Sequence, residues 1–142
     1  MTEVLQARNE PLITFANDDM MLGTADHNRP LYVTAESDGM MISRILIDPG
    51  SSVNLMSLKA LRSLCLDVEH LGQDKLMVHG FNEKGQKTLG SFMLPLVFGE
   101  LHTEAKFHVI NLETSFNALL GRPWLHEFKM VPSTLHQCLK YQ

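Results

Sequence analysis

Hydrophobic and polar positions alternate along most of the chain, and one stretch has a different period. Leu31, Val33 and Ala35 alternate with Tyr32, Thr34 and Glu36, the two-residue repeat of a half-buried strand. Ser37-Asp38-Gly39 has turn chemistry, and residues 40–47 return as the partner strand. That strand ends in the apolar run Ile45-Leu46-Ile47, followed at once by Asp48-Pro49-Gly50-Ser51-Ser52. Proline has no N–H for a ladder and glycine admits unusual backbone angles, so the strand stops sharply and leaves Asp48 at the mouth of a tight loop. Taken alone, Asp-Pro-Gly is an ordinary turn.

From residue 53 to residue 66 the period changes. Leu55, Leu58, Leu61 and Leu64 recur every three residues, with Met56 and Cys65 on the same face. The spacing predicts an amphipathic helix over 55–66, about three turns long, with Ser52 or Asn54 as its N-cap. Strands are predicted again over 75–78 and 87–98, joined as a hairpin by the polar tip Gly80-Phe81-Asn82-Glu83-Lys84-Gly85. Gly99-Glu100 turns the chain, and residues 105–112 alternate once more. Ala118-Leu119-Leu120 is a short buried run. Gly121-Arg122-Pro123 then opens a second, short helix, with Pro123 in a first-turn position and Trp124 and Leu125 facing inward. Residues 135–141 form the last predicted strand. Residues 1–10 are mostly polar and aperiodic, so 1–12 reads as a linker and 13–142 as a single domain, with a short strand candidate at Leu12-Ile13-Thr14-Phe15.

Composition narrows the function classes. A chain of 142 residues with 44% hydrophobic and 20% charged residues can build one ordinary core. No run reaches the length of a membrane span and no signal pattern opens the chain, which gives the expectation of an intracellular, cytoplasmic protein. A net charge of −4 supplies no electrostatic footprint for nucleic acid. Cys65 and Cys138 are too few for a disulfide framework, and His136-Gln137-Cys138 offers only two possible metal ligands and reads as structural. Neither a metal nor a cofactor is expected. The scattered methionines read as gap-fillers of core and hairpins.

Two stretches carry the chemistry. Ile45-Leu46-Ile47-Asp48-Pro49-Gly50-Ser51 and Ala118-Leu119-Leu120-Gly121-Arg122 together resemble the retropepsins, the homodimeric aspartic proteases of retroviruses and long-terminal-repeat retrotransposons. That family carries apolar–apolar–Asp–Thr/Ser–Gly–Ala/Ser and, later, apolar–apolar–Gly–Arg. His27-Asn28-Arg29-Pro30-Leu31-Tyr32-Val33, Gly80-Phe81-Asn82 and Leu119-Leu120-Gly121-Arg122-Pro123-Trp124-Leu125-His126 are similar to plant gypsy-type retrotransposon polyproteins, and the likeness runs from about residue 13 to residue 141. The resemblance implies a mainly β, retropepsin-like acid-protease fold: a closed β-barrel lobe with a flap hairpin, one helix after the catalytic loop and a short one after the Gly-Arg segment. It implies Asp48 as the catalytic residue in a loop completed by Pro49, Gly50 and Ser51. Gly80, Phe81, Asn82 and Gly85 fall in the flap and substrate-binding place, and Leu120, Gly121 and Arg122 in the segment that supports the loop. The implied partners are a second copy of the chain and a polypeptide substrate, its own polyprotein, processed in the cytoplasm or in virus-like particles. The sequence holds one Asp-x-Gly-Ser loop, so a two-carboxylate site requires a symmetric pair. The C-terminal strand either joins the intersubunit sheet of this family or runs on into the next polyprotein segment.

Two positions depart from the family pattern. Pro49 stands where active members have Thr or Ser. Ser52 stands where many viral members have the acidic partner of the segment's arginine, so Arg122 needs another acceptor. Two readings therefore remain: a working endopeptidase, and a weak or inactive retropepsin-fold module for dimerisation or peptide binding.

Overall fold

In the computed structural model, which describes residues 3–6, 30–81, 83–133 and 136–141, the alternating stretches become strands. β2 (Leu31–Ser37) buries every second side chain and pairs antiparallel with β3 (Met40–Ile47) across a turn in which Asp38 and Gly39 both have positive φ, 48° and 84°. Two such residues in succession give a hairpin turn whose twist matches its strands. Val33 faces Ile45 while Ala35 faces Ile42, so β3 carries one extra residue, a bulge at which Arg44 has φ 53°. The bulge changes the phase of the strand. Strict alternation from Ile42 would bury Arg44; instead Ile42, Ile45 and Ile47 all enter the core.

β4 (Asn54–Ser57), β7 (Gly90–Phe98), β8 (Leu101–Ile110) and β9 (Ala118–Leu120) complete a closed barrel in the order β2-β3-β9-β4-β8-β7. Closure leaves no free strand edge in this sheet. Leu94, Leu96, Phe107, Val109 and Leu120 fill the interior, and a second apolar cluster of Leu55, Val78, Ile110, Phe116 and Leu119 lies on the other side of the sheet. The short helix α2 (Arg122–Glu127) closes one end with Trp124 and Leu125. Trp124 Nε1 donates to Thr103 Oγ1 at 3.0 Å, and that hydroxyl donates to Leu96 O at 2.9 Å, so the buried indole N–H has a partner. A two-stranded hairpin, β5 (Met77–Val78) with β6 (Gln86–Lys87), projects from the barrel.

Several boundaries differ from the sequence expectation. The helix expected over 55–66 is a strand, β4, followed by α1 (Leu58–Ser63). Residues 54–57 are buried on both faces, Met56 in the main core and Leu55 in the second cluster, while β8 and β9 pair with the two edges of β4, so a repeat that looked helical spans two elements. Neither Ser52 nor Asn54 caps the helix. Ser57 does, its Oγ accepting from Ala60 N at 3.1 Å. The strand expected over 87–98 breaks at Thr88-Leu89 before Gly90, whose φ is 146°. β8 begins and ends earlier than 105–112. Glu3–Gln6, assigned to the linker, forms β1, which pairs parallel with β11 (Cys138–Tyr141); β10 (Val131–Ser133), not anticipated, takes the other edge of β11. The strand candidate at residues 12–15 lies outside the described residues. Among the described residues, no helix is long and apolar enough to cross a membrane.

Candidate active site

The loop that carries Asp48 joins β3 to β4, but these strands are not neighbours. β9 lies between them, parallel to β3 (Ile47 opposite Leu120) and antiparallel to β4 (Leu55 opposite Leu119). The loop must therefore arch over the end of β9, and the chain leaving β9 passes beneath it. Asp48 N donates to Leu120 O at 2.9 Å, and Arg122 N donates to Ser51 O at 2.9 Å, so the support segment holds the loop at both ends through its backbone. Gly121 sits at the crossing. A Cβ there would lie 2.5 Å from Val53 O and 2.7 Å from Ser51 O, closer than a carbon and a carbonyl oxygen can approach. Of the residues expected to support the loop, Leu120 is buried, Gly121 provides the close approach, and the exposed Arg122 acts through its N–H.

Within the loop, Gly50 N donates to Asp48 Oδ1 at 2.9 Å, and a Cβ on Gly50 would lie 3.2 Å from the same oxygen. Ser51 N donates to Asp48 O at 3.1 Å. The Ser51 hydroxyl donates to Val53 O at 2.7 Å and accepts from Val53 N at 3.3 Å, so it is committed to the loop while Ser51 still lines the cleft. Pro49 is exposed.

Asn54 escaped the sequence reading, which considered it only as a helix cap. It is 3% exposed, and both ends of its amide are used: Nδ2 donates to Lys106 O at 3.1 Å and Oδ1 accepts from Gly121 N at 2.9 Å. The signal was a lone amide in the apolar run Val53-Asn54-Leu55-Met56; a buried amide needs partners on both sides.

Asp48 faces a cleft of about 470 Å³ lined by Leu46, Val53, Leu55, Phe116 and Leu119 from the barrel and by residues 77–81 of the projecting hairpin. The walls combine aliphatic and aromatic side chains with Ser51, Ser52 and His79, and Asp48 is the acidic group among the lining residues. Phe81, 37% exposed, brings its ring to 6.3 Å from that of the buried Phe116. Phe116 sits on a well-held segment: Ser57 N donates to Asn117 O at 3.1 Å, Asn117 N to Arg44 O at 3.0 Å, and Arg44 Nε to Ser115 O at 2.8 Å. The hairpin, by contrast, has a two-residue ladder. Gly80 (φ 107°) and Gly85 (φ 80°) flank its tip, and a Cβ on Gly85 would meet His79 Nδ1 at 2.9 Å. Gly80 and Phe81 line the cleft, Gly85 shapes the hairpin beside it, and Asn82 lies outside the described residues.

No family model matches the sequence, and no curated protein matches it. Solved structures do. The retroviral protease-like domain of Ddi1 from Leishmania major superposes with a TM-score of 0.58 at 18% identity, over 80% of this chain and 88% of that one. A retropepsin-like aspartic protease from Rickettsia conorii superposes with a TM-score of 0.57 at 21% identity, over 73% of this chain and 76% of that one. The closed barrel, the strand threaded beneath the Asp48 loop and these superpositions together give the chain the retropepsin-like fold.

Proposed function

We propose that the protein is an aspartic-type endopeptidase that works as a homodimer, with one Asp48 from each subunit. The observation that carries this reading is the placement of Asp48: a carboxylate fixed on a rigid strand end, in a cleft that also takes lining residues from the projecting hairpin. Two such carboxylates in contact cannot both ionise comfortably, so the pair shares one proton. The ionised member takes a proton from water as the water oxygen bonds to the scissile carbonyl carbon. The protonated member gives its proton to the carbonyl oxygen. The tetrahedral diol then collapses: the newly protonated member gives its proton to the leaving amine as the C–N bond breaks, and a diol hydroxyl returns its proton to the other member, which restores the shared-proton pair. The Gly50 N–H on Asp48 Oδ1 fixes the orientation of the carboxylate for this exchange. Gly80 and Phe81 in the hairpin act as a lid over bound peptide. The likeness of three segments to plant gypsy-type polyproteins supports processing of the chain's own polyprotein, in the cytoplasm or a virus-like particle, as the setting.

Pro49 favours a second reading, a weak or inactive module of the same fold. Thr or Ser at this place grips the partner loop through a hydroxyl and an N–H, and proline supplies neither. Cleavage of a peptide spanning a polyprotein junction, beside an Asp48→Asn control, separates the two. Turnover that disappears in the control supports the endopeptidase; no turnover by the parent chain at micromolar concentration supports the module.

A further inference from the structure

The root of the hairpin holds a polar cluster that the cleavage chemistry does not use. Asp74 precedes β5. Its Oδ2 pairs with Lys106 Nζ on β8 at 2.6 Å, and its Oδ1 accepts from the Ser91 hydroxyl on β7. At the same level Gly72 N donates to Ser91 O at 2.7 Å and Ser91 N donates to Gly72 O at 3.3 Å. Gly90 permits this crossing, since a Cβ there would run into the Gly72 carbonyl. One step toward the tip, the buried Thr88 closes a further rung: Thr88 N donates to Leu76 O at 2.8 Å and Leu76 N to Thr88 Oγ1 at 2.9 Å. Beyond that rung lies the two-residue ladder of Met77–Val78 with Gln86–Lys87.

Lys106 also reaches the other way. Its carbonyl accepts from Asn54 Nδ2, and Asn54 Oδ1 accepts from Gly121 N beneath the Asp48 loop. One residue of β8 therefore grips the hairpin root with its side chain and the catalytic support with its backbone.

We infer that Asp74 is a positioning residue, which sets the flap above Asp48 by pinning the flap's root to Lys106 and Ser91. The inference rests on reading residues 77–87 as the lid of an endopeptidase. A lid pinned at its root turns a small movement at Asp74 into a larger one at Phe81, where substrate must fit. The ionised pair and the hydroxyl together give the short, directional contact such a pin needs. Asp74 is held at a pKa of about 2, chiefly by the hydrogen bond from Lys106 and then by that from Ser91, so the pin stays charged in the mildly acidic range where a shared-proton dyad works. The barrel closes without it, because β7 and β8 pair residue by residue from Gly90 with Val109 to Phe98 with Leu101.

The test compares the full chain with Asp74→Asn and with the charge-swapped pair Asp74→Lys plus Lys106→Asp. Hydrogen exchange at the amides of Leu76, Val78, Gln86 and Thr88, the thermal midpoint, and KM and kcat on the junction peptide are measured. In Asp74→Asn, exchange at these amides and KM each rise about fivefold, the scale of one half-exposed charged pair, while kcat and the midpoint stay nearly unchanged. The swapped pair restores both. Unchanged flap exchange in Asp74→Asn overturns the inference. So does faster exchange spread equally through β7 and β8 with a lowered midpoint, or a folded swap that restores neither quantity. If the parent chain cleaves nothing, the endopeptidase reading fails by itself, and the exchange result still decides whether Asp74 pins the hairpin.

Discussion

Three substitutions test the site at the scale of single residues. Asp48→Asn is nearly isosteric and keeps an acceptor for Gly50 N, so it abolishes cleavage and leaves the melting transition within a few degrees; peptide cleavage beside a circular-dichroism melt checks both. Full activity in this variant would move the chemistry away from Asp48. Gly121→Ala places a carbon against two backbone carbonyls that have no side-chain freedom to yield. It is expected to cost roughly 1–3 kcal/mol in urea unfolding and to displace the Asp48 loop, so that activity falls further than stability does. Pro49→Thr restores a hydroxyl and an N–H in each subunit. Several neutral hydrogen bonds at about 1 kcal/mol each outweigh the roughly 0.4–1 kcal/mol by which proline stiffens the loop, so dimer affinity rises by roughly tens- to hundreds-fold and cleavage rises with it. Sedimentation of the two proteins decides this; equal affinities would mean that the dimer is held elsewhere.

At the scale of elements, the segment around Leu55 shows how a repeat misleads. Leu55, Leu58 and Leu61 are spaced as on one helix, yet Leu55 belongs to a strand and the other two to α1, and all three are buried. The dividing residue is Ser57, whose hydroxyl caps α1; Ser57→Ala is expected to cost about 1 kcal/mol in denaturant unfolding. β8 makes a second point. His108 lies on its outer face, 8% exposed, and burial holds its imidazole below the ordinary value of 6.5. The folded chain then binds fewer protons than the unfolded one as pH falls below 6.5, so the neutral histidine's contribution is complete above that pH and is lost progressively below it. His108→Leu is expected to flatten the loss of stability between about pH 7 and about pH 5.5, read from denaturation midpoints at the two values.

At the scale of the whole molecule, one chain presents one Asp-x-Gly-Ser loop and half of the proposed dyad. Cleavage per subunit is expected to fall as the protein is diluted, and mixing in Asp48→Asn subunits is expected to depress activity more than simple dilution does. Activity that stays first order in protein at high dilution, with a monomeric mass, would contradict the dimer. The terminal sheet bears on how two copies of the proposed dimer would meet: β11 has β1 on one edge and β10 on the other, both from its own chain.

The mainly β character, the hairpin from Leu31 to Ile47, the sharp stop at Asp48 and the inward Trp124 were all legible in the sequence. Each depends on local causes: alternation, turn chemistry, and proline at the start of a helix. The shared motif also drew Asp48 and Gly121 into one site before any geometry was known. Tertiary structure alone decided three things. The bulge at Arg44 depends on which residues of β3 must face the core. The strand at Asn54–Ser57 forms because β8 and β9 offer it two ladders, and a buried strand flanked on both sides overrides a helical repeat. The roles of Asn54 and Asp74 arise from contacts with residues far along the chain, Gly121, Lys106 and Ser91, and no local pattern encodes a partner that only the closed barrel brings within hydrogen-bonding distance.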